Sequence, residues 1–171
     1  NGDLWYGSTG VAGVALSVSF TTTASFGVYN PVDSHVDVQI LAVSYGYVSG
    51  TLGGGVLALG KYIVGTTQAV PGGTVATDSG SLYIGGNNRG RAIPYEAITL
   101  TAAGQVGCAL TDVAPKLATS VTSVVPSIIK IPFPAIYPPG TAAFVSAIST
   151  AGTTPVVLIG MIYREIRRLS S

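Results

Sequence analysis

Hydrophobic and polar residues alternate along much of this chain. Val14, Leu16, Val18 and Phe20 alternate with Ala15, Ser17 and Ser19, which predicts a half-buried strand over Val14–Phe20. Ala24–Tyr29 predicts a short second strand. Tyr29-Asn30-Pro31 ends it, because proline cannot donate to a ladder and asparagine favours turns. Val36–Val48 carries the clearest pattern: Val36, Val38 and Ile40 fall on one face, Asp37 and Gln39 on the other, and Tyr45 and Tyr47 share a face further along. Ser49–Gly55 reads as a flexible turn and Gly55–Val64 as another apolar strand. Leu82–Ile84, Ala97–Leu100 and Val106–Leu110 are weaker strand patterns, set between turn residues such as Pro71-Gly72-Gly73 and Asp78-Ser79-Gly80. Ala114–Thr119 predicts one helical turn with Asp112 as its N-cap. Val121–Ile131 reads as a strand in which Pro126 marks a bulge or an edge.

The last quarter reads as a closing β-hairpin. Pro138-Pro139-Gly140 opens it, Ala142–Ser149 is one strand, Thr150–Pro155 the break and Val156–Tyr163 the other strand. Val156, Val157, Leu158, Ile159, Met161 and Ile162 put apolar groups on both faces of that last strand. This predicts a central strand covered on both sides. No segment has a sustained helical period. Many strands with Gly and Pro punctuation and no alternation with helices predict an all-β fold, a jelly-roll-like antiparallel β-sandwich. The expected organisation is a single domain: an N-terminal arm over residues 1–13, the sandwich over 14–168 and a tail over 169–171.

Composition changes how the exterior must be read. Of 171 residues, 47% are hydrophobic and only 9% charged, against about 25% charged in an average globular domain. So few charges leave apolar groups on the surface, and large apolar patches mark contact surfaces. Much of the exterior is therefore expected to be covered by other protein chains. No apolar run approaches the roughly 20 residues of a spanning helix, and the strands are too few and too irregular for a transmembrane barrel. The net charge of +1 gives no balance suited to nucleic acid. Cys108 is the single cysteine, so no intrachain disulfide forms, and its apolar setting predicts an inert thiol.

Candidate chemistry is sparse. Asp33-Ser34-His35-Val36-Asp37 holds the one histidine with two carboxylates and a serine. Consecutive residues cannot easily form a catalytic triad, whose members converge from separate elements. On a strand, Asp33, His35 and Asp37 would share a face; the simpler reading is a polar turn opening a strand. Gly55–Tyr62 matches G-x-x-x-x-G-K, but Tyr62 replaces the Ser or Thr that holds magnesium, and no helix is predicted after it. The seven carboxylates are scattered. No catalytic residue, cofactor or metal site is assigned, and the chain is expected not to be an enzyme.

The candidate residues are instead ones that could meet another subunit. Trp5 and Tyr6 lie on the Gly-rich arm, which packs back on its own domain or docks on a neighbour. Arg89 and Arg91 form one basic pair, and Arg164, Arg167 and Arg168 one basic cluster; each is a soluble surface or a salt-bridging contact to an acidic neighbour. Tyr45, Tyr47, Tyr62, Tyr83 and Tyr95 would offer a glycan platform if they converged.

Two stretches carry a family resemblance. One is Tyr29-Asn30-Pro31 followed by the long apolar strand and its Gly-rich loop. The other is Pro138-Pro139-Gly140-Thr141-Ala142-Ala143, then Ser149–Pro155, then the strand ending Tyr163-Arg164-Glu165-Ile166. Together they resemble bacteriophage virion β-sandwich structural proteins over residues 14–50 and 132–166. Asp33-Ser34-His35 departs from the pattern, since such turns more often carry Gly. The resemblance implies a capsid cement or decoration protein on the virion exterior. It would bind the major capsid protein and assemble with itself, most often as a homotrimer. The alternative is a receptor- or glycan-binding head of a phage fibre or spike. Neither implies nucleic acid, membrane or cofactor.

Overall fold

The computed structural model describes residues 4–65, 69–82, 90–102, 105–112 and 127–168. The described residues form twelve strands: β1 Leu4–Ser8, β2 Val14–Ala15, β3 Phe26–Asn30, β4 Val36–Leu52, β5 Gly55–Ile63, β6 Gly72–Val75, β7 Ser79–Ser81, β8 Ile93–Thr99, β9 Gln105–Asp112, β10 Ser127–Tyr137, β11 Thr141–Ser149 and β12 Gly152–Arg167. They form two antiparallel sheets packed face to face. Sheet A runs β10-β4-β12-β1-β7, with β2 paired to β12; sheet B runs β6-β8-β3-β11-β5-β9.

The wiring is that of a jelly roll. Setting aside short β2 and the inserted β6, β7 and β8, sheet A reads β10-β4-β12-β1 and sheet B reads β3-β11-β5-β9. The first of these eight strands lies beside the last, and consecutive strands change sheets at every step but β5 to β9. The expected all-β sandwich is therefore present, and the insertion widens both sheets at one side.

The closing hairpin is not. β11 lies in sheet B between β3 and β5, while β12 lies in sheet A between β4 and β1. Thr150 and Ala151 join them across the sandwich. The connection is held where it crosses: Ser149 Oγ accepts from Gly53 N–H (3.0 Å) and donates to the Ala151 carbonyl (2.7 Å), and Thr150 N–H donates to the Gly54 carbonyl (2.9 Å). The crossover from β11 to β12 thus lies against the crossover from β4 to β5. Gly53 has no room for a side chain, since a Cβ there would overlap Ala151. Consequently Ser49–Leu52, expected in a flexible turn, finishes the 17-residue strand β4.

β12 is central in sheet A, as expected, but the strand that this chain itself covers on both faces is β11. Ala143, Val145 and Ala147 face the core between the sheets, with Phe26, Val38, Ile40, Leu57, Leu59, Ile159 and Met161 among its other members. Ala142 and Phe144, on the opposite face, join a second cluster with Tyr29, Tyr62, Ile98 and Leu100. Loops of the same chain cover that cluster: Ala24 N–H donates to the Ile98 carbonyl (2.9 Å), Leu100 N–H to the Thr22 carbonyl (2.8 Å), and the Tyr62 hydroxyl to the Ala69 carbonyl (3.0 Å). In β12 only one face, Val157, Ile159, Met161 and Tyr163, enters the core.

Three further expectations change. Only Val14–Ala15 of Val14–Phe20 is strand, and Val18 is 71% exposed. This stretch passes from one sheet to the other: Leu16 N–H donates to the Pro155 carbonyl of β12, and Ser149 N–H of β11 donates to the Ser17 carbonyl. Leu4–Ser8, expected in an arm, is a strand between β12 and β7. β10 continues through Pro132 and Pro134 to Tyr137, with its pairing to β4 shifted between Lys130 and Ala135; an edge strand with a bulge accommodates prolines. β7 occupies Ser79–Ser81, where a turn was expected; of the strand expected over Leu82–Ile84, Leu82 is not in a strand and residues 83–84 lie outside the described residues, as do 114–119 of the expected helical turn and 121–126 of the strand with Pro126.

Candidate functional site

The outer face of sheet A is built by register. Paired residues of neighbouring strands point to the same side of a sheet. Lys130, Ala42, Ile162 and Tyr6 form one row across β10, β4, β12 and β1. Ile128, Ser44, Gly160 and Ser8 form the next, and Ile136, Gln39, Arg164 and Leu4 a third. Gly46 and Leu158 extend the face beyond them. The residues in the central strands are small: Ala42, Ser44, Gly46 and Gly160. A Cβ at Gly160 would come within 2.9 Å of the Gly7 carbonyl oxygen, so this position stays flat. Large apolar groups rise around that floor. Ile128 is 67% exposed and Ile136 50%, with Tyr6 and Leu158 also open to solvent.

Polar groups on this face are few and mostly engaged with one another. Arg164 Nε donates to Gln39 Oε1 at 2.7 Å. Arg168 Nε pairs with Asp37 Oδ1 at 2.9 Å, near the end of the sheet. The result is a mixed face, with exposed apolar groups around a floor of small residues, Lys130 in one row and Arg164, held by Gln39, in another.

The candidate interface residues separate into two groups. Tyr6 and Arg164 lie on this face, and Arg168 reaches it through Asp37. Trp5 alternates inward from Tyr6 and is buried in the core, 6% exposed, so it anchors its own domain. Arg91 sits at a different corner. Its backbone N–H and that of Ala92 donate to Glu165 Oε1 (2.7 and 2.8 Å), and its guanidinium donates to the Ser34 carbonyl (2.6 Å). Arg167 is exposed at the end of β12. Arg89 lies outside the described residues. Glu165 is buried, and its carboxylate accepts the backbone N–H groups of Arg91 and Ala92.

The other candidates are placed as follows. Asp33, His35 and Asp37 do not share a strand face: His35 has φ 56°, β4 begins only at Val36, and Asp37 binds Arg168. Among the described residues no three His, Cys, Asp or Glu side chains gather. The G-x-x-x-x-G-K stretch lies almost entirely along strand β5. Cys108 lies on β9 with its backbone paired to Leu59. The described tyrosines do not converge: Tyr45 is in the core, Tyr62 in the second cluster with Tyr95 against it, and the Tyr47 hydroxyl is bound to the Gly50 carbonyl at 2.7 Å. Tyr83 lies outside the described residues.

Ile128, Ile162, Leu158 and Ile136 were not legible as surface groups, because an apolar residue in a strand reads as core. The one available signal was the low charge content, which gives the existence of such a face and not its place. No family model, curated protein or solved structure matches the chain.

Proposed function

We propose that this chain is a non-enzymatic structural protein of a virion. In this reading it is a cement or decoration protein on the capsid exterior that binds the major capsid protein and associates with itself, as a homotrimer. The observation that carries the reading is the outer face of sheet A, where exposed Ile128, Ile136, Leu158 and Tyr6 surround a floor of small residues beside the charges of Lys130 and Arg164. A surface of that kind favours burial against another chain. Jelly rolls recur in viral capsid and lectin domains. The resemblance at Tyr29-Asn30-Pro31 and Pro138-Pro139-Gly140 supports it from the sequence side. A glycan-binding head would need an exposed aromatic platform, and among the described tyrosines Tyr6 alone is exposed. The test is sedimentation velocity of the isolated protein, followed by co-sedimentation with capsid shells lacking it. Concentration-dependent trimers and saturable shell binding are expected. A monomer at high concentration that ignores the shells sinks the proposal.

A further inference from the structure

A second feature lies where the two sheets open apart, between β5 and β10. A cleft of about 430 Å³ is lined by Leu59, Lys61, Ile63, Phe133, Ile136 and Tyr137, together with neighbouring backbone and prolines. Its origin is visible in the strands. Leu57, Leu59, Lys61 and Ile63 alternate onto the inward face of β5; the first two are buried, but Lys61 and Ile63 emerge at the mouth. Opposite them, β10 leaves its register with β4 between Lys130 and Ala135, which carries Phe133 and Pro134 to the other wall.

The polar groups of this cleft are unequally engaged. The Tyr137 hydroxyl donates to the Gly60 carbonyl at 3.2 Å, closing the inner end. Thr141 Oγ1 donates to the Pro138 carbonyl at 2.6 Å. Lys61 has no ion pair among the described residues, and it is the one charged side chain in the lining. A lysine keeps its alkyl stem on apolar surface while its ammonium stays at the rim. The cleft thus offers an apolar chamber, within the roughly 300–1,000 Å³ range of small-ligand sites, and a single cation at its mouth.

We propose that this cleft binds a small amphipathic anion, with an alkyl or aryl body between Ile63 and Phe133 and a carboxylate head on the Lys61 ammonium. Apolar walls supply affinity for the body, and the lone cation selects the sign of the head. The cleft shares Ile136 with the outer face of sheet A, but the ligand it is proposed to take does not depend on the assembly reading.

The test is calorimetric titration of the full chain with decanoate below its micellar range, with decanol and decyltrimethylammonium as the uncharged and cationic comparisons. Decanoate is expected to bind saturably and about fivefold more tightly than decanol, the factor that about 1 kcal/mol from a part-exposed charge pair gives. Lys61→Met should equalise decanoate and decanol, whereas Lys130→Met, on the outer face, should leave the preference intact. Phe133→Ala should weaken both ligands, since it removes a wall and not the charge. Equal binding of decanoate and decanol to the unaltered protein, or a preference that survives Lys61→Met, overturns the proposal. So does absence of saturable binding, including the case where a concentration-dependent dimer lost in Phe133→Ala assigns the cleft to a second copy.

Discussion

Asn30 Nδ2 donates to the Tyr137 carbonyl at 3.0 Å, joining the end of β3 to the end of β10 across 107 positions of sequence. The same amide donates to the Val36 carbonyl at 2.9 Å, where β4 begins, and the backbone carbonyl of Asn30 accepts from Gly140 N–H at 2.8 Å. One fully buried side chain thus ties together two chain crossings, β3 to β4 and β10 to β11. Ser149 does the equivalent at the opposite end of the sandwich, between β4–β5 and β11–β12.

Asn30→Ala removes a donor from each of two buried carbonyls, with the Ser34 hydroxyl at 3.4 Å still facing that of Val36; each buried hydrogen bond lost costs about 1–3 kcal/mol. A loss of about 2–5 kcal/mol in urea denaturation is expected. Asn30→Asp should be at least as damaging, because a carboxylate cannot donate to the two carbonyls it would face. A variant within about 0.5 kcal/mol of the parent, the range of ordinary surface changes, would show that the crossings hold without this amide.

These ties explain what the sequence did and did not disclose. Val36, Val38 and Ile40 alternate inward as their pattern predicts, because alternation reports which face is buried. It does not report which strand lies alongside. Ala142–Ser149 and Val156–Tyr163, separated by a short turn, look like a hairpin, yet Ser149 bonds Gly53 and sends the chain into the other sheet. Asn30 and Pro138-Pro139-Gly140 were each legible as turn chemistry, but their contact depends on that long-range wiring. Among the surface candidates, Tyr6 and Arg164 could be picked from sequence as residues favoured at interfaces. Ile128 and Ile162 could not, because β10, β4 and β12 have to be paired before their outward face exists.

Glu165 gives a second test. Its buried carboxylate receives the backbone N–H groups of Arg91 and Ala92, which fastens the start of β8 to β12. Charge-assisted bonds of this type exceed neutral ones. Glu165→Gln keeps an acceptor but loses the charge and should cost about 1–2 kcal/mol, whereas Glu165→Ala orphans both donors and should cost about 2–4 kcal/mol. Amide hydrogen exchange at residues 91 and 92 should rise in the same order. Unchanged protection in Glu165→Ala would show that the turn is held by something else.

Stability should fall in alkali through the buried tyrosines. Burial pushes the Tyr45 phenol from 10.0 up to about 12. Tyr163 is also raised, by burial first and then by the negative charge of Glu165. Below about pH 10 both folded and unfolded chains keep these protons, and the contribution to stability is fully present. As pH rises from 10 to about 12, the unfolded chain releases the Tyr45 proton first, so stability declines by about 1.4 kcal/mol per pH unit for each such group. Tyr45→Phe and Tyr163→Phe should each flatten the decline, and Glu165→Gln should lower the Tyr163 pKa. Urea midpoints that stay constant from about pH 8 to about pH 11 would contradict this assignment.

The outer face of sheet A can be separated from the core by one charge. Ile128 projects outward from edge strand β10, two-thirds exposed, in the row with Ser44 and Gly160. Ile128→Glu therefore removes no core contact and should leave stability within about 0.5 kcal/mol of the parent. If neighbouring chains cover this face, the same carboxylate is buried at the contact without a partner, and truncating or opposing such a group costs several kcal/mol. Self-association and shell binding should then weaken by at least about 100-fold, equivalent to about 2.7 kcal/mol. Ile128→Leu should preserve both, because it keeps an apolar group of similar volume. Sedimentation velocity paired with thermal unfolding distinguishes the outcomes. A folded Ile128→Glu protein that assembles like the parent would move the contact surface away from this face, and a variant that unfolds would place Ile128 in the fold rather than at the contact.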